Sequence, residues 1–154
     1  MKSIVVFFLI GLVSASTWAE DSQNIKELYQ RWAEAVEKAD IDSYVSVLHP
    51  QVKLMPPQSD PFEGKEQYRK FLEPVFSSAV YRIDVELEPE IELIGDVALA
   101  EYEYVIHMDL KDGKDSIDQE GALMASRNHN VYFDVLVRGS SGKWEVYRHT
   151  WRSK

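Results

Sequence analysis

WAEAVEKADIDSYVSVLHPQVKLMPPQSDPFEG, Trp32 to Gly64, is the stretch whose reading decides the fold of this chain. Within it one helix ends, a second short helix starts and stops, a strand opens, and an irregular loop leads into a third helix. Asp40 is placed to cap the second helix through its side-chain oxygen, and Tyr44, Val45 and Leu48 give that helix a buried stripe. His49-Pro50 ends it, because the residue before a proline is pushed out of the α region. Val52 to Met55 then alternates as a brief strand, and Pro56-Pro57 with Ser59-Asp60-Pro61 forces a loop.

Upstream, Ile25, Leu28, Trp32, Ala35, Val36 and Ala39 recur at helical spacing with Lys26, Glu27, Arg31, Glu34, Glu37 and Lys38 on the other face, which predicts a long amphipathic helix. Downstream, a third helix from about Lys65 carries Tyr68, Phe71, Leu72, Val75 and Phe76 on one face, which needs a sheet to lie on. From Tyr81 to Leu93 the apolar residues Tyr81, Ile83, Val85, Leu87, Ile91 and Leu93 share one parity, so a single long strand is expected. Pro89 cannot donate to a ladder and predicts an edge position or a bulge. Gly95-Asp96 turns into a second strand, Val97 to about Leu110, whose even positions from Ala98 to Met108 are apolar or aromatic.

Lys111 to Asn130 has no single reading: Gly121 to Ser126 suits a short strand, one helical turn or a flap. Val131 to Arg138 is a strand with Val131, Phe133, Val135 and Val137 on one face, Gly139 to Gly142 is a hairpin loop, and Trp144 to Arg152 is the closing strand. Three helices followed by strands joined mostly by hairpins give an α+β class, with the three N-terminal helices gathered on one face of a curved antiparallel sheet.

With 154 residues, 45% of them hydrophobic and 12% aromatic, the chain fills one core. A net charge of −9 with no basic cluster argues against a nucleic-acid or anionic-lipid partner. Residues 1–19 read as a secretory signal: Lys2, the apolar run Ile4 to Val13 broken only by Gly11, then small and polar residues. The run is shorter than the ~20 residues needed to span a bilayer. Thr17-Trp18-Ala19 places cleavage after Ala19, with Ala15 as the alternative, leaving residues 20–154 as one domain, secreted or periplasmic, with no membrane attachment after cleavage. With no cysteine, disulfides, lipoprotein anchoring and thiol catalysis are excluded.

Four motifs in order, QRWAEAVEKADIDSY, VKLMPPQSDPFEG, GDVALAEYEY and GKWEVYRHTW, resemble the nuclear-transport-factor-2-like superfamily, and within it the SnoaL-like or ketosteroid-isomerase-like small bacterial domains. The resemblance covers about Ile25 to Trp151 and implies that the curved antiparallel sheet is cone-shaped and wrapped around the three N-terminal helices, a cystatin-like cone with a mostly apolar pocket open at one end. It also implies a homodimer through the outer sheet face. The superfold hosts isomerases, dehydratases, cyclases, hydrolases and adaptor or immunity modules, so the resemblance leaves the activity open.

Isomerases of this kind use a carboxylate base and an oxyanion site that includes a tyrosine. The resemblance puts Met55 at the base position and Trp32 at the tyrosine position; a thioether takes no proton, and an indole N–H is less acidic than a phenol. Other titratable candidates are Asp60, Glu63, Asp134 and the histidines, of which His49 and His107 read as surface residues. The histidine spacing suggests no metal, and no phosphate-binding glycine loop or serine elbow appears, so no cofactor is expected. On the last strand, Arg148 shares parity with Trp144 and Val146, where relatives carry histidine. If Trp144 points into the cone, Arg148 is expected to anchor a carboxylate of a ligand whose body lies against Trp32, Met55, Tyr68, Tyr102 and Tyr104; the alternative is an internal ion pair with Asp134 or Glu101. The expected role is a secreted domain binding a small apolar or carboxylate-bearing molecule. An enzyme of lyase, isomerase or hydrolase type using another base, and a protein-partner module, are the alternatives.

Overall fold

A computed structural model describes residues 12–57 and 59–154. Of the expected signal segment, residues 1–11 lie outside the described residues. Among those described, no helix is long and apolar enough to cross a membrane.

Helix α1 (Leu12–Glu37) buries Ile25, Leu28, Tyr29, Trp32 and Ala35, the stripe its period predicts. It ends through Asp40 N–H bonding back to the Ala35 carbonyl, with Ala39 left-handed at φ 52. Asp40 then caps α2 (Ile41–Ser46), its carboxylate accepting from the Ser43 amide at 3.0 Å. Strand β1 (Leu48–Met55) begins directly after α2 and carries Pro50 within it, four residues earlier than the alternation at Val52 suggests. The two-residue strand β2 (Phe62–Glu63) pairs with β1, and Gly64, at φ 87, starts α3 (Lys65–Ser78). All five expected apolar residues of α3 are buried.

Strands β3 (Ala79–Ile94), β4 (Val97–Leu110), β5 (Arg127–Arg138) and β6 (Trp144–Ser153) complete one curved sheet of order β2-β1-β6-β5-β4-β3. The β3–β6 pairs are antiparallel, but β1 runs parallel to β6, so the sheet is mixed. Pro89 meets both expectations for it. β3 is the edge strand, and Pro89 sits inside the irregularity between Leu87 and Glu90. Two such shifts break the single parity read for β3: Leu87 falls opposite Glu103 and is exposed, whereas Ile91 returns to the inside opposite Ala100. The segment 111–126 has neither helix nor strand.

The faces of β5 are reversed from what hydropathy suggests. Val131, Phe133, Val135 and Val137 point away from the core, and Asn130, Tyr132, Asp134 and Leu136 are buried. Pairing decides this: Tyr132 stands opposite Tyr102 and Asp134 opposite Ala100, and residues directly opposite each other share a face. A tyrosine, an asparagine and an aspartate are thereby driven into the cone.

Candidate functional site

The helices and the inner sheet face enclose a cavity of about 120 Å³ with a mostly apolar lining. Trp32 and Tyr29 reach it from α1, Tyr44 from α2, Tyr68 and Phe71 from α3, Tyr102 and Tyr104 from β4, Tyr132 from β5, and His149 and Trp151 from β6. Gly121, Ala122 and Leu123 cover it from the loop that the sequence left unassigned. Aromatic rings meet throughout; Tyr102 and Tyr132 stack at 4.8 Å with 3° between planes, and Tyr132 stacks on His149 at 5.6 Å.

At one side of this wall lies a fully buried carboxylate. Asp134 Oδ2 accepts from the Tyr29 hydroxyl at 2.8 Å and the Tyr102 hydroxyl at 3.0 Å, and Oδ1 lies 2.7 Å from His149 Nδ1. Three partners offset the desolvation of a buried carboxylate. Burial first, and the Asp134 charge second, hold the Tyr29 and Tyr102 phenols well above the ordinary tyrosine range, so both remain donors. A carboxylate only accepts, so Nδ1 is the nitrogen that donates to Asp134, and in the neutral imidazole this leaves the lone pair at Nε2. Nε2 has no hydrogen bond among the described residues, and the ring lines the cavity. A base oriented by a carboxylate on the wall of an apolar cavity can accept a proton from a bound molecule and return it.

Of the residues expected to meet a ligand, Trp32, Tyr68, Tyr102 and Tyr104 line the cavity together, and Met55 and Arg148 do not. The Arg148 expectation fails at a bulge. The pairing slips between Val135 and Leu136, so that Val146 faces Leu136 while Arg148 faces Val135, and Tyr147 is the extra residue. Beyond it the parity inverts, and His149 and Trp151 take the inner face. The Arg148 guanidinium instead lies 3.7 Å above the Tyr147 ring and donates to the Tyr147 carbonyl at 2.7 Å, pairing with neither Asp134 nor Glu101. Met55 is displaced by the same geometry: Leu54 stands beside His149 on the inner face, while Met55 stands beside Thr150, whose hydroxyl donates to the Met55 carbonyl.

Asp60 is exposed and Glu63 pairs with Lys53 at the surface, so of the carboxylates considered only Asp134 is in the cone. His49 sits in β1 against Tyr147, His107 pairs with Asp84, and His129 with Glu103. No three His, Asp or Glu side chains gather as a metal ligand set among the described residues. One member of the site, Tyr29, was missed, and His149 was named only among the histidines as a group. Tyr29 lies on the same stripe as Ile25 and Trp32 and was legible by spacing. His149 was legible only through a bulge: skipping one residue after Val146 aligns Trp144, Val146, His149 and Trp151 on one face and leaves Glu145, Arg148, Thr150 and Arg152 on the other.

The model of the SnoaL-like domain matches residues 25–130, so Asp134 and His149 lie beyond the matched stretch. A comparison with curated proteins finds no match. Among solved structures the chain is similar to a ketosteroid isomerase-like protein from Erwinia carotovora atroseptica, with TM-score 0.70, 17% identity, and 87% of this chain and 96% of that one covered. A nuclear transport factor 2-like superfamily protein from Salmonella enterica gives TM-score 0.70 at 15% identity, covering 88% and 92%. A nuclear transport factor 2-like protein with a cystatin-like fold from Novosphingobium aromaticivorans gives 0.69 at 12%, covering 96% and 90%. At these identities the likeness is one of fold.

Proposed function

The chain belongs to the SnoaL-like domain family, and from that premise we propose that its cone holds a small organic molecule on which His149, oriented by Asp134, moves a proton. The reaction class is lyase or isomerase chemistry at a carbon next to a polarising group. One observation carries the reading: the Asp134–His149 pair at 2.7 Å, with the imidazole on the cavity wall and its second nitrogen without a protein partner among the described residues. General-base catalysis of this kind contributes about 10²–10⁴-fold. The test is deuterium uptake from D2O into a panel of small cyclic and aryl ketones, followed by NMR. Wild-type protein accelerates uptake for at least one member, and His149→Gln and Asp134→Asn each lower that rate by about 100-fold or more. Binding without any acceleration refutes the proton-transfer reading.

That outcome supports the second reading, a binding domain without catalysis. It is favoured by the saturation of Asp134, whose three partners also make sense as a satisfied buried network.

We propose further that the protein is a homodimer through the outer face of β4–β6. Leu99, Phe133 and Val135 form an apolar patch there, with Phe133 39% exposed. Glu101 and Glu103 on β4, and Arg148 and Arg152 on β6, supply opposite charges that a two-fold axis can match. Light scattering after size exclusion tests it: Phe133→Glu turns a dimer into a monomer, and a monomeric wild type refutes the dimer and reopens that face to a different protein partner. Export is proposed on the signal reading, with residues 20–154 released after cleavage at Ala19. Asp21, two residues on, is tied to Arg138 at 2.6 Å and Trp144 at 3.2 Å. An N-terminus at Glu20 in periplasmic or secreted material checks it.

A further inference from the structure

Beside the cavity lies an open depression of about 270 Å³ that shares Tyr29, Ala33, Ile83 and Tyr104 with it and is rimmed by Glu34, Glu37 and Glu88. No lysine or arginine lines either space. Glu34 is paired with Lys38 at 2.8 Å, whereas Glu37 and Glu88 have no ion-pair partner among the described residues. The backbone sets both of these in place. Glu37 Oε1 accepts from the Ile83 amide at 2.8 Å, which ties the end of α1 to the edge strand and leaves the second carboxylate oxygen free among the described residues. Glu88 is brought over the depression by the first bulge of β3. Val85 stands opposite Tyr104 but Leu87 opposite Glu103, so one extra residue turns Leu87 outward and Glu88 inward.

Tyr104 turns this acidic rim into a site. It is only 8% exposed and lines both spaces. Its hydroxyl makes no hydrogen bond among the described residues, yet its oxygen keeps accessible surface, since Trp32 Nε1 is the one unpartnered polar side-chain atom that is fully sealed. Burial first, then the Glu88 charge and then the Asp134 charge, raise the Tyr104 phenol above the ordinary range, so the phenol is neutral; that exposed Glu88 outweighs buried Asp134 sets the hydroxyl on the Glu88 side. A neutral phenol oxygen near two unpaired carboxylates has lone pairs to offer a donor. An anion placed there meets like charges with no counter-charge, and an uncharged group leaves both carboxylates unpaired. An ammonium group pairs with them, donates to the phenol oxygen, and lies against the faces of two tyrosine rings, which attract cations. We propose that the depression is a subsite for a protonated amine: the molecule whose body lies in the cone carries an ammonium group that Glu37 and Glu88 pair with and that donates to the Tyr104 hydroxyl oxygen. This rests on the reading that the cone holds a small organic molecule, adds the charge class of that molecule, and does not require that a proton be transferred.

The test uses three single-ring probes of nearly equal size, phenethylamine, phenethyl alcohol and phenylacetate, with binding to the whole protein measured by calorimetry. The amine is expected to bind at least about tenfold more tightly than the alcohol, and phenylacetate more weakly than either. Glu88→Gln brings the amine to within about threefold of the alcohol and leaves the alcohol unchanged, which also shows that the variant is folded. Tyr104→Phe lowers the affinity for the amine by about fivefold relative to the alcohol. Glu90→Gln removes the same charge from the far face of β3, where Glu90 stands opposite Glu101, and is expected to leave the amine within about twofold of wild type. An alcohol or phenylacetate bound as tightly as the amine, no binding of the amine, or an equal loss in Glu88→Gln and Glu90→Gln each overturns the proposal. Alcohol bound with no advantage for the amine overturns the ammonium subsite and leaves the cone reading standing. Amine bound through Glu88 with no deuterium uptake into the ketone panel refutes proton transfer and leaves the subsite standing.

Discussion

Raising the pH is expected to unfold this protein in a narrow window set by its buried tyrosines. Seven of the eight tyrosines, Tyr29, Tyr44, Tyr68, Tyr81, Tyr102, Tyr104 and Tyr132, are buried and have phenols pushed above the ordinary value, in each case chiefly by burial; Tyr68 is pushed up to about 12. A group whose folded pKa exceeds its unfolded one contributes stability that is fully present below the unfolded pKa, ~10 for tyrosine, and is lost as pH rises toward the folded pKa. The unfolded chain releases the protons that the folded chain retains, so stability falls with pH. Each phenol removes a little under ~1 kcal/mol by pH 10.5 and a little over ~1 kcal/mol by pH 11. Seven together remove about 6 and about 10 kcal/mol. Set against a typical domain stability of about 5–15 kcal/mol, the midpoint lies between about pH 10.3 and 11.5. The assay is a titration following phenolate absorbance and far-UV circular dichroism together. The expected result is one cooperative step in both signals. Phenolate appearing for most tyrosines while the dichroism stays native refutes the reasoning, as does a native spectrum at pH 12.

Three substitutions test the structure elsewhere. Asp134→Ala strands two buried hydroxyls and an imidazole N–H and is expected to destabilise by about 3–5 kcal/mol in urea unfolding, with Asp134→Asn costing less. Arg148→Ala removes a side chain stacked on Tyr147 outside the cavity; it is expected to change stability by less than about 1 kcal/mol and to leave ligand-induced thermal stabilisation intact. Ala39→Gly relieves a left-handed alanine at φ 52 at the loss of a half-buried methyl, and the net gain of about 0.5–1 kcal/mol raises Tm by about 2–3 °C in a thermal melt.

By itself the sequence determined the elements and the class of fold. Helical spacing in α1 and α3, the Asp40 cap, the Pro89 break and the even-numbered apolar face of β4 are local patterns, set by side chains within a few residues of one another. The aromatic half of the site followed from the same patterns, because Trp32, Tyr68, Tyr102 and Tyr104 stand on periodic faces of regular elements. What only the tertiary structure decided was which face of each of the last strands turns inward. The more apolar face of β5 is the outer one, because pairing with β4 carries Asp134 and Tyr132 into the core. One bulged residue at Tyr147 exchanges Arg148 for His149 on the cavity wall. Side chains alternate with a period of two, so a single inserted residue inverts everything beyond it, and its position is fixed by the neighbouring strand. The Asp134–His149 pair exists only because two such long-range choices coincide.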